Sequence, residues 1–235
     1  MSLPLTGERT VPGVQHENYW FRRHEIAYRD CARRIAASGG VGRVLDAGAG
    51  EGYGTAIISE LTGAVVTAVD YAHDAIAHAC RNYGLPAVRG NLVAMPFRDA
   101  AFDAVVSMQT IEHLWDQPAF VTESARLLRP GGLLVITTPN RLTFPPGNVF
   151  HSRELSALEL SYLITPPFEI VLRLGVHHGS RLDERPGLVD DQLASEPSDW
   201  PEELATLVAG ITADDFVINA DVETCLDLYF VAVRT

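Results

Sequence analysis

The sequence predicts an α/β domain built on a mostly parallel sheet with helices on both faces. Three observations carry that prediction. From Gly42 onward short apolar runs alternate with helical stretches, the pattern of strands buried on both sides. A glycine-rich loop follows the first of those runs, where a strand passes into a helix. The 235 residues suit one such domain with appended elements, and a 47% hydrophobic content is ample for its core.

The elements follow in order. Residues 1–40 form a helical arm carrying Tyr19-Trp20-Phe21-Arg22-Arg23-His24. Arg43–Gly48 is strand one, and a helix runs from the glycines to about Glu60. Ala64–Asp70 is strand two, with a helix over Asp74–Tyr83, and Ala87–Arg89 is a short strand three. Phe102–Met108 is strand four and Ala119–Leu128 the next helix; Arg129-Pro130-Gly131-Gly132 is a turn into strand five, Leu133–Thr138. Glu154–Leu163 reads as a helix, and Glu169–Val176 and Leu226–Arg234 as strands six and seven. Residues 179–215 are an acidic insertion, read as a solvated face. The whole divides into an arm (1–40), a core (41–140) and a substrate-side part (141–235) of one domain.

Composition excludes several function classes. The formal net charge of −12 sets a field that repels nucleic acid, and the arginines are scattered rather than patched, so no nucleic-acid partner is expected. No apolar run reaches the ~18 residues of a membrane span. The N-terminus lacks a signal-peptide layout, and Cys31, Cys80 and Cys225 have neither disulfide parity nor metal-ligand spacing. A cytoplasmic protein with reduced thiols is the expectation.

The loop Asp46-Ala47-Gly48-Ala49-Gly50-Glu51-Gly52-Tyr53-Gly54 lets a backbone approach a ligand closely. It does not suit a pyrophosphate, because Asp46 and Glu51 would repel one and Tyr53 stands where a dinucleotide loop has glycine. Those carboxylates suit a cationic ligand instead. Asp70 ends strand two about 20 residues past the loop, where an acid accepts hydrogen bonds from ribose hydroxyls.

These features resemble the class I S-adenosylmethionine (SAM)-dependent methyltransferases. Four motifs carry the resemblance in order: Val44-Leu45-Asp46-Ala47-Gly48, Asp70, Phe102-Asp103, and Leu128-Arg129-Pro130-Gly131-Gly132. It implies a Rossmann-like sheet with an antiparallel last strand and a SAM site of Asp46, Gly48, Gly50, Glu51, Asp70, Tyr71, Asn91, Leu92 and Gln109. Asn91 stands where the family usually has Asp for the adenine amino group. An amide oxygen accepts that bond without charge assistance. The arm resembles the family's lid over the methionine end of SAM, which implies Arg23, or second Arg22, for the carboxylate.

Ligands in open α/β sheets sit beyond the carboxyl ends of the strands. There the sequence places Gln109-Thr110-Ile111-Glu112-His113, and His151 follows strand five. Three readings are open to Glu112, His113 and His151: a divalent-metal site, a general-base pair without metal, or structural hydrogen bonding. The cluster resembles a metal-dependent branch that includes ubiquinone and small-RNA methyltransferases, with Gln109 in place of the first Glu of Glu-x-x-Glu-His. Motifs along the whole chain, from Leu5-Thr6-Gly7-Glu8-Arg9-Thr10 through Glu17–His24 and Ile111–Asp116 to Phe150-His151-Ser152-Arg153-Glu154-Leu155, resemble the O-methyltransferases of mycobacterial methylmannose polysaccharide synthesis. That nearer resemblance implies magnesium, a small oligosaccharide acceptor and a methylated sugar hydroxyl. A metal-free methyltransferase of a quinone or lipid is the alternative, and a homo-oligomer is left open.

Overall fold

The computed structural model describes residues 9–39, 42–145 and 147–235. Leu5-Thr6-Gly7-Glu8 of the N-terminal motif and the 40/41 boundary between arm and core lie outside the described residues.

The first α-helix of the described residues is α1 (Asn18–Ala37), entered through a 3₁₀ turn at Gln15–Glu17. Tyr28, Cys31, Ala32 and Ile35 recur at helical spacing and are buried against the sheet, while Arg29 pairs with the buried Glu25 and Arg34 with Asp30, each one turn along the helix. Then come β1 (Arg43–Ala47), α2 (Tyr53–Thr62), β2 (Val65–Asp70), α3 (His73–Tyr83), β3 (Ala87–Arg89), β4 (Phe102–Met108), α4 (Gln117–Leu127) and β5 (Leu128–Pro139). The second half holds α5 (Ala157–Ile164), β6 (Phe168–His178), α6 (Ser180–Asp183), α7 (Leu188–Leu193), α8 (Glu202–Ala209), β7 (Phe216–Asn219) and β8 (Asp227–Arg234). The strands form one sheet in the order β3-β2-β1-β4-β5-β8-β6-β7, an open Rossmann-like arrangement.

Strands β1 to β5 are mutually parallel, and β8 enters antiparallel between β5 and β6. Neighbouring residues divide between the two faces, as a period of two requires. Leu45, Val105, Leu134 and Phe230 pack in one core; Val44, Val106, Val135 and Tyr229 pack in the other. Because the central strands are parallel, their carboxyl ends, Gly48, Asp70, Gln109 and Asn140, reach one rim. The antiparallel β8 begins there too, since Asp227 is opposite Pro139.

Three features differ from the sequence reading. The Arg129–Gly132 turn is a bulge inside the long β5: Leu128 pairs with Phe102, the register then slips, and Leu133 pairs with Ala104. A short eighth strand, β7, pairs antiparallel with β6 and forms the outer edge. Its four residues offer too little alternation to be read from sequence. The insertion at 179–215 is also more than a solvated face. Its charges are exposed as expected, but Leu182, Leu188, Leu204 and Val208 are buried with Tyr19 and Ile35 in the α1-side core. Each such burial is worth about 1.5–3 kcal/mol, enough to fold short helices that have little intrinsic stability. The arm is docked onto these parts. Asn18 Nδ2 donates to the carbonyls of Val208 and Ile211 at 2.9 and 2.8 Å, and Tyr19 Oη lies 2.8 Å from His178 Nε2. Among the described residues no helix is long and apolar enough to cross a membrane.

Candidate active site

Two cavities meet at the carboxyl rim. The larger, about 670 Å³, is lined by the glycine loop together with Asp70, Tyr71, Asn91, Leu92 and Gln109. The other, about 480 Å³, contains Glu112, His113 and His151 and is walled partly by the insertion. Both lie in the size range of small-molecule sites. Arg9, Thr10, His24, Gln109 and His113 border both cavities, so a group leaving one for the other passes between these side chains.

The larger cavity is preorganised by backbone geometry. Gly48 has φ +90°, and a Cβ there would collide with Thr110. Its N–H donates to Val69 O at 2.8 Å, laying the loop against the end of β2. The Asp70 carboxylate accepts from Gly50 N at 2.9 Å and from Ala72 N at 2.8 Å, which fixes its oxygens at the cavity edge. Asn91 Oδ1 accepts from Val93 N at 3.2 Å, and Tyr71 is mostly exposed, with Arg89 over its ring. Glu51 is 1% exposed, and neither carboxylate oxygen has a hydrogen bond among the described residues; burial pushes its carboxyl up, offset partly by His78 and Arg9. Asp46 takes a different position. Its carboxyl is fully buried behind the loop, accepts from Thr55 Oγ1 at 2.6 Å, and is pushed up to about 7 by that burial. It supports the loop rather than lining the cavity.

Arg23 is likewise placed otherwise than the lid resemblance implies. It is 4% exposed and chelates the Asp227 carboxylate through Nε and Nη2, with Nη2 also donating to Leu226 O at 3.1 Å. It borders the smaller cavity and not the larger. Arg22 is tied to Glu25 at 2.6 Å on its own helix. The reason is topological: β8 runs antiparallel and delivers Asp227 to the rim under α1. The guanidinium at the larger cavity is that of Arg9, whose Nη1 is buried without a hydrogen-bond partner among the described residues.

In the smaller cavity, Glu112 and His113 lie on a 3₁₀ turn, Ile111–His113, just past β4. The preceding Gln109 is held at φ +49°, a region non-glycine residues rarely adopt, by its N–H to Thr137 O at 3.1 Å and its side chain to Thr137 Oγ1 at 3.2 Å. The Glu112 carbonyl accepts from Ser152 N and Arg153 N at 2.8 and 3.1 Å, stapling the segment that carries His151 against this turn. One ligand atom from each of Glu112, His113 and His151 lies within 4.8 Å of the others. Glu112 is 1% exposed, accepts from Thr138 Oγ1 at 2.9 Å, and is pushed up to about 7 by burial despite the neighbouring His113.

The two imidazoles are oriented alike. His113 Nδ1 meets Phe150 O at 3.2 Å and His151 Nδ1 meets the Glu154 carboxylate at 2.7 Å. Both partners only accept, so each Nδ1 carries the proton; the Nε2 lone pair of His151 accepts from Asn148 Nδ2 at 3.1 Å, and His113 Nε2 lies 3.9 Å from Glu112 Oε1. Glu154 therefore positions His151, a role the sequence reading missed by placing it at a helix start. The signal was the His-x-x-Glu spacing beside a rim histidine. His24, between the cavities, bonds Tyr53 Oη through Nδ1 at 3.1 Å; burial pushes it down to about 4, so it is neutral. Cys31 and Cys225 are buried and Cys80 is exposed, all as free thiols.

Such a site, with a strand-end carboxylate beside a glycine loop opening onto a second chamber of acid–base groups, has the layout of a group-transfer enzyme using a nucleoside cofactor. Comparison with known proteins makes this definite. Residues 45–136 match a family model described as a methyltransferase domain. A Mycolicibacterium smegmatis protein named as a probable S-adenosylmethionine-dependent methyltransferase is 45% identical, covering 99% of this chain and 96% of its own. A ubiquinone biosynthesis O-methyltransferase of Xylella fastidiosa is 37% identical over 47% of the chain and 46% of its own length. A SAM-dependent methyltransferase structure from Thermotoga maritima superimposes with TM-score 0.63 at 18% identity, over 94% of this chain and 96% of that one. The chain belongs to the SAM-dependent methyltransferases.

Proposed function

We propose that the protein is a metal-assisted O-methyltransferase of a sugar hydroxyl, acting on the anomeric (1-O) hydroxyl of short 3-O-methylated mannosides in methylmannose polysaccharide synthesis. The observation carrying this reading is the Glu112–His113–His151 cluster, which faces the smaller cavity and borders the cofactor cavity through His113.

SAM fits the larger cavity by charge. Asp70 accepts from the ribose hydroxyls and Asn91 from the adenine amino group. Glu51, buried, and Arg9, half-buried with its Nη1 covered, have no hydrogen bond on Glu51's carboxylate or Arg9's Nη1 among the described residues, and form a clamp for the ammonium and carboxylate of the methionine end. Arg9→Ala is expected to weaken S-adenosylhomocysteine at least tenfold while leaving methylthioadenosine, which lacks the amino-acid end, unchanged in calorimetric titration. Equal losses for both ligands would show that Arg9 acts on the fold. Asp70→Ala is expected to cost about 2–3 kcal/mol for both, since both carry the ribose. A folded Asp70→Ala protein with wild-type affinity would remove Asp70 from the site.

Methyl transfer needs an acceptor oxygen in line with the methyl–sulfur bond. The hydroxyl oxygen bonds the methyl carbon, the carbon–sulfur pair returns to sulfur as a neutral thioether, and the hydroxyl proton leaves. The Nε2 lone pair of His113, whose Nδ1 is held by Phe150 O, can receive that proton, and that of His151 can do so by giving up its hydrogen bond from Asn148 Nδ2. Two imidazole nitrogens and a carboxylate oxygen, with orienting partners behind the imidazoles, suit a divalent ion. Such an ion, when bound, orients vicinal sugar oxygens and lowers the hydroxyl pKa. The family resemblance implies magnesium, whereas the imidazoles favour manganese, iron or zinc. Partial similarity to the ubiquinone enzyme supports a second reading, a phenolic or quinol acceptor. The test is to incubate the protein with SAM and a panel of mannosides and catechols. A one-methyl mass gain on a mannoside supports the first reading, and a gain only on catechols the second.

A further inference from the structure

Gln192 is the least expected member of the smaller cavity. It lies near the end of α7, is 5% exposed, and comes from the insertion rather than the sheet. Its Nε2 donates at 3.1 Å to Leu188 O, one turn back. A carbonyl only accepts, so that bond fixes the amide orientation and leaves Oε1 pointing elsewhere. Oε1 is buried and has no hydrogen-bond partner among the described residues. Buried amide oxygens are normally paired, and this exception belongs to a residue that lines the cavity, so a donor from whatever fills it would complete the pairing.

The same cavity has two indoles. Trp20 comes from α1, half-buried beside Tyr19. Trp200 comes from the insertion, its Nε1 donating to Ser195 O at 3.2 Å. With its N–H used locally, Trp200 has mainly its ring left for contact. Aromatic faces with a few fixed polar atoms suit a ring that is apolar on its C–H faces and hydroxylated at its edge.

We infer that the 179–215 insertion is the acceptor-recognition wall of the enzyme. Gln192 Oε1 accepts a hydrogen bond from a non-reacting hydroxyl of a saccharide, and Trp20 and Trp200 cover the sugar ring. This rests on the sugar-hydroxyl reading above and adds the residues that select the acceptor. A flat aromatic ring whose only hydroxyls are at the reaction centre would use the indoles and leave Gln192 unpaired. A site built to pair with a hydroxyl rejects analogues lacking it, because the protein group is then stranded.

The experiment uses mannobiose and its set of monodeoxy analogues as acceptors, with wild type and Gln192→Met. One deoxy position is expected to lower wild-type kcat/KM about tenfold or more. Gln192→Met is expected to lose a similar factor on mannobiose and nothing further on that one analogue, with SAM affinity unchanged. Should the variant fold poorly, wild-type tryptophan fluorescence titrated with the same compounds in S-adenosylhomocysteine reads the preference directly. Turnover of mannobiose with equal efficiency on every analogue, or unchanged discrimination in a folded Gln192→Met, overturns the inference and leaves the sugar reading standing. A wild type inert on mannobiose but active on catechol overturns both.

Discussion

Exhaustive chelation is expected to lower methyl transfer by roughly 10²–10⁴-fold, and add-back of magnesium or manganese to restore it. That range corresponds to about 3–5 kcal/mol of barrier, the scale of charge stabilisation a bound ion supplies. Glu112→Ala, His113→Ala and His151→Ala are expected to lose activity on the same scale and not to be rescued by the metal. SAM affinity should stay near wild type in Glu112→Ala and His151→Ala, whose residues line the smaller cavity and not the larger. The pH dependence has a definite sign. Burial raises the Glu112 carboxyl to about 7, so below that pH a proton occupies the oxygen a metal would need. Metal affinity measured by calorimetry is therefore expected to weaken as pH falls through 7, by about tenfold per unit if one proton is displaced. Full turnover after chelation eliminates the metal. Retained activity in both histidine variants eliminates the cluster.

The same raised carboxyl affects stability in the metal-free protein. Its folded pKa exceeds its unfolded value, so its contribution is fully present below the ordinary value of 4.5 and is lost as pH rises through about 7. Glu112→Gln is accordingly expected to raise the melting temperature of metal-free protein at pH 8 and to raise it less at pH 5. An equal effect at both pH values would show that Glu112 is ionised throughout.

The parallel sheet was legible because its strands are continuous apolar runs and the glycine loop marks where the first one ends. Asp70, Asn91 and the Glu112-His113 pair were placed correctly at the rim because motif spacing fixes where a strand stops. Partners brought by distant segments were not legible. Asp227 claims Arg23 only because β8 inserts antiparallel beside β5, a pairing no local pattern records. Gln192 and Trp200 looked like parts of a polar surface. Leu182, Leu188, Leu204 and Val208 are spread over short helices, and their common burial depends on a face that α1 completes. Asp46 shows the converse: its motif position was read as ligand-facing, and Thr55, nine residues on, holds it behind the loop.

The Arg23–Asp227 pair allows a test that separates fold from cofactor binding. Both side chains are almost wholly buried, and Asp227 holds the guanidinium charged despite its desolvation. Removing either partner strands the other in the interior, so Arg23→Ala or Asp227→Ala is expected to cost about 3–5 kcal/mol. For a chain of this size that is a drop of roughly 6–20 °C in melting temperature. The pair itself is a different matter, since desolvation offsets most of its Coulomb attraction. Replacing both with apolar groups of similar volume, Arg23→Met with Asp227→Leu, is expected to recover most of the loss. The double variant then decides where the SAM carboxylate sits. With Arg9 as its partner, the folded double variant binds S-adenosylhomocysteine as wild type does, while Arg9→Ala does not. A double variant that melts normally yet loses that affinity would return the role to Arg23, and with it the lid arrangement that the arm's sequence resembles.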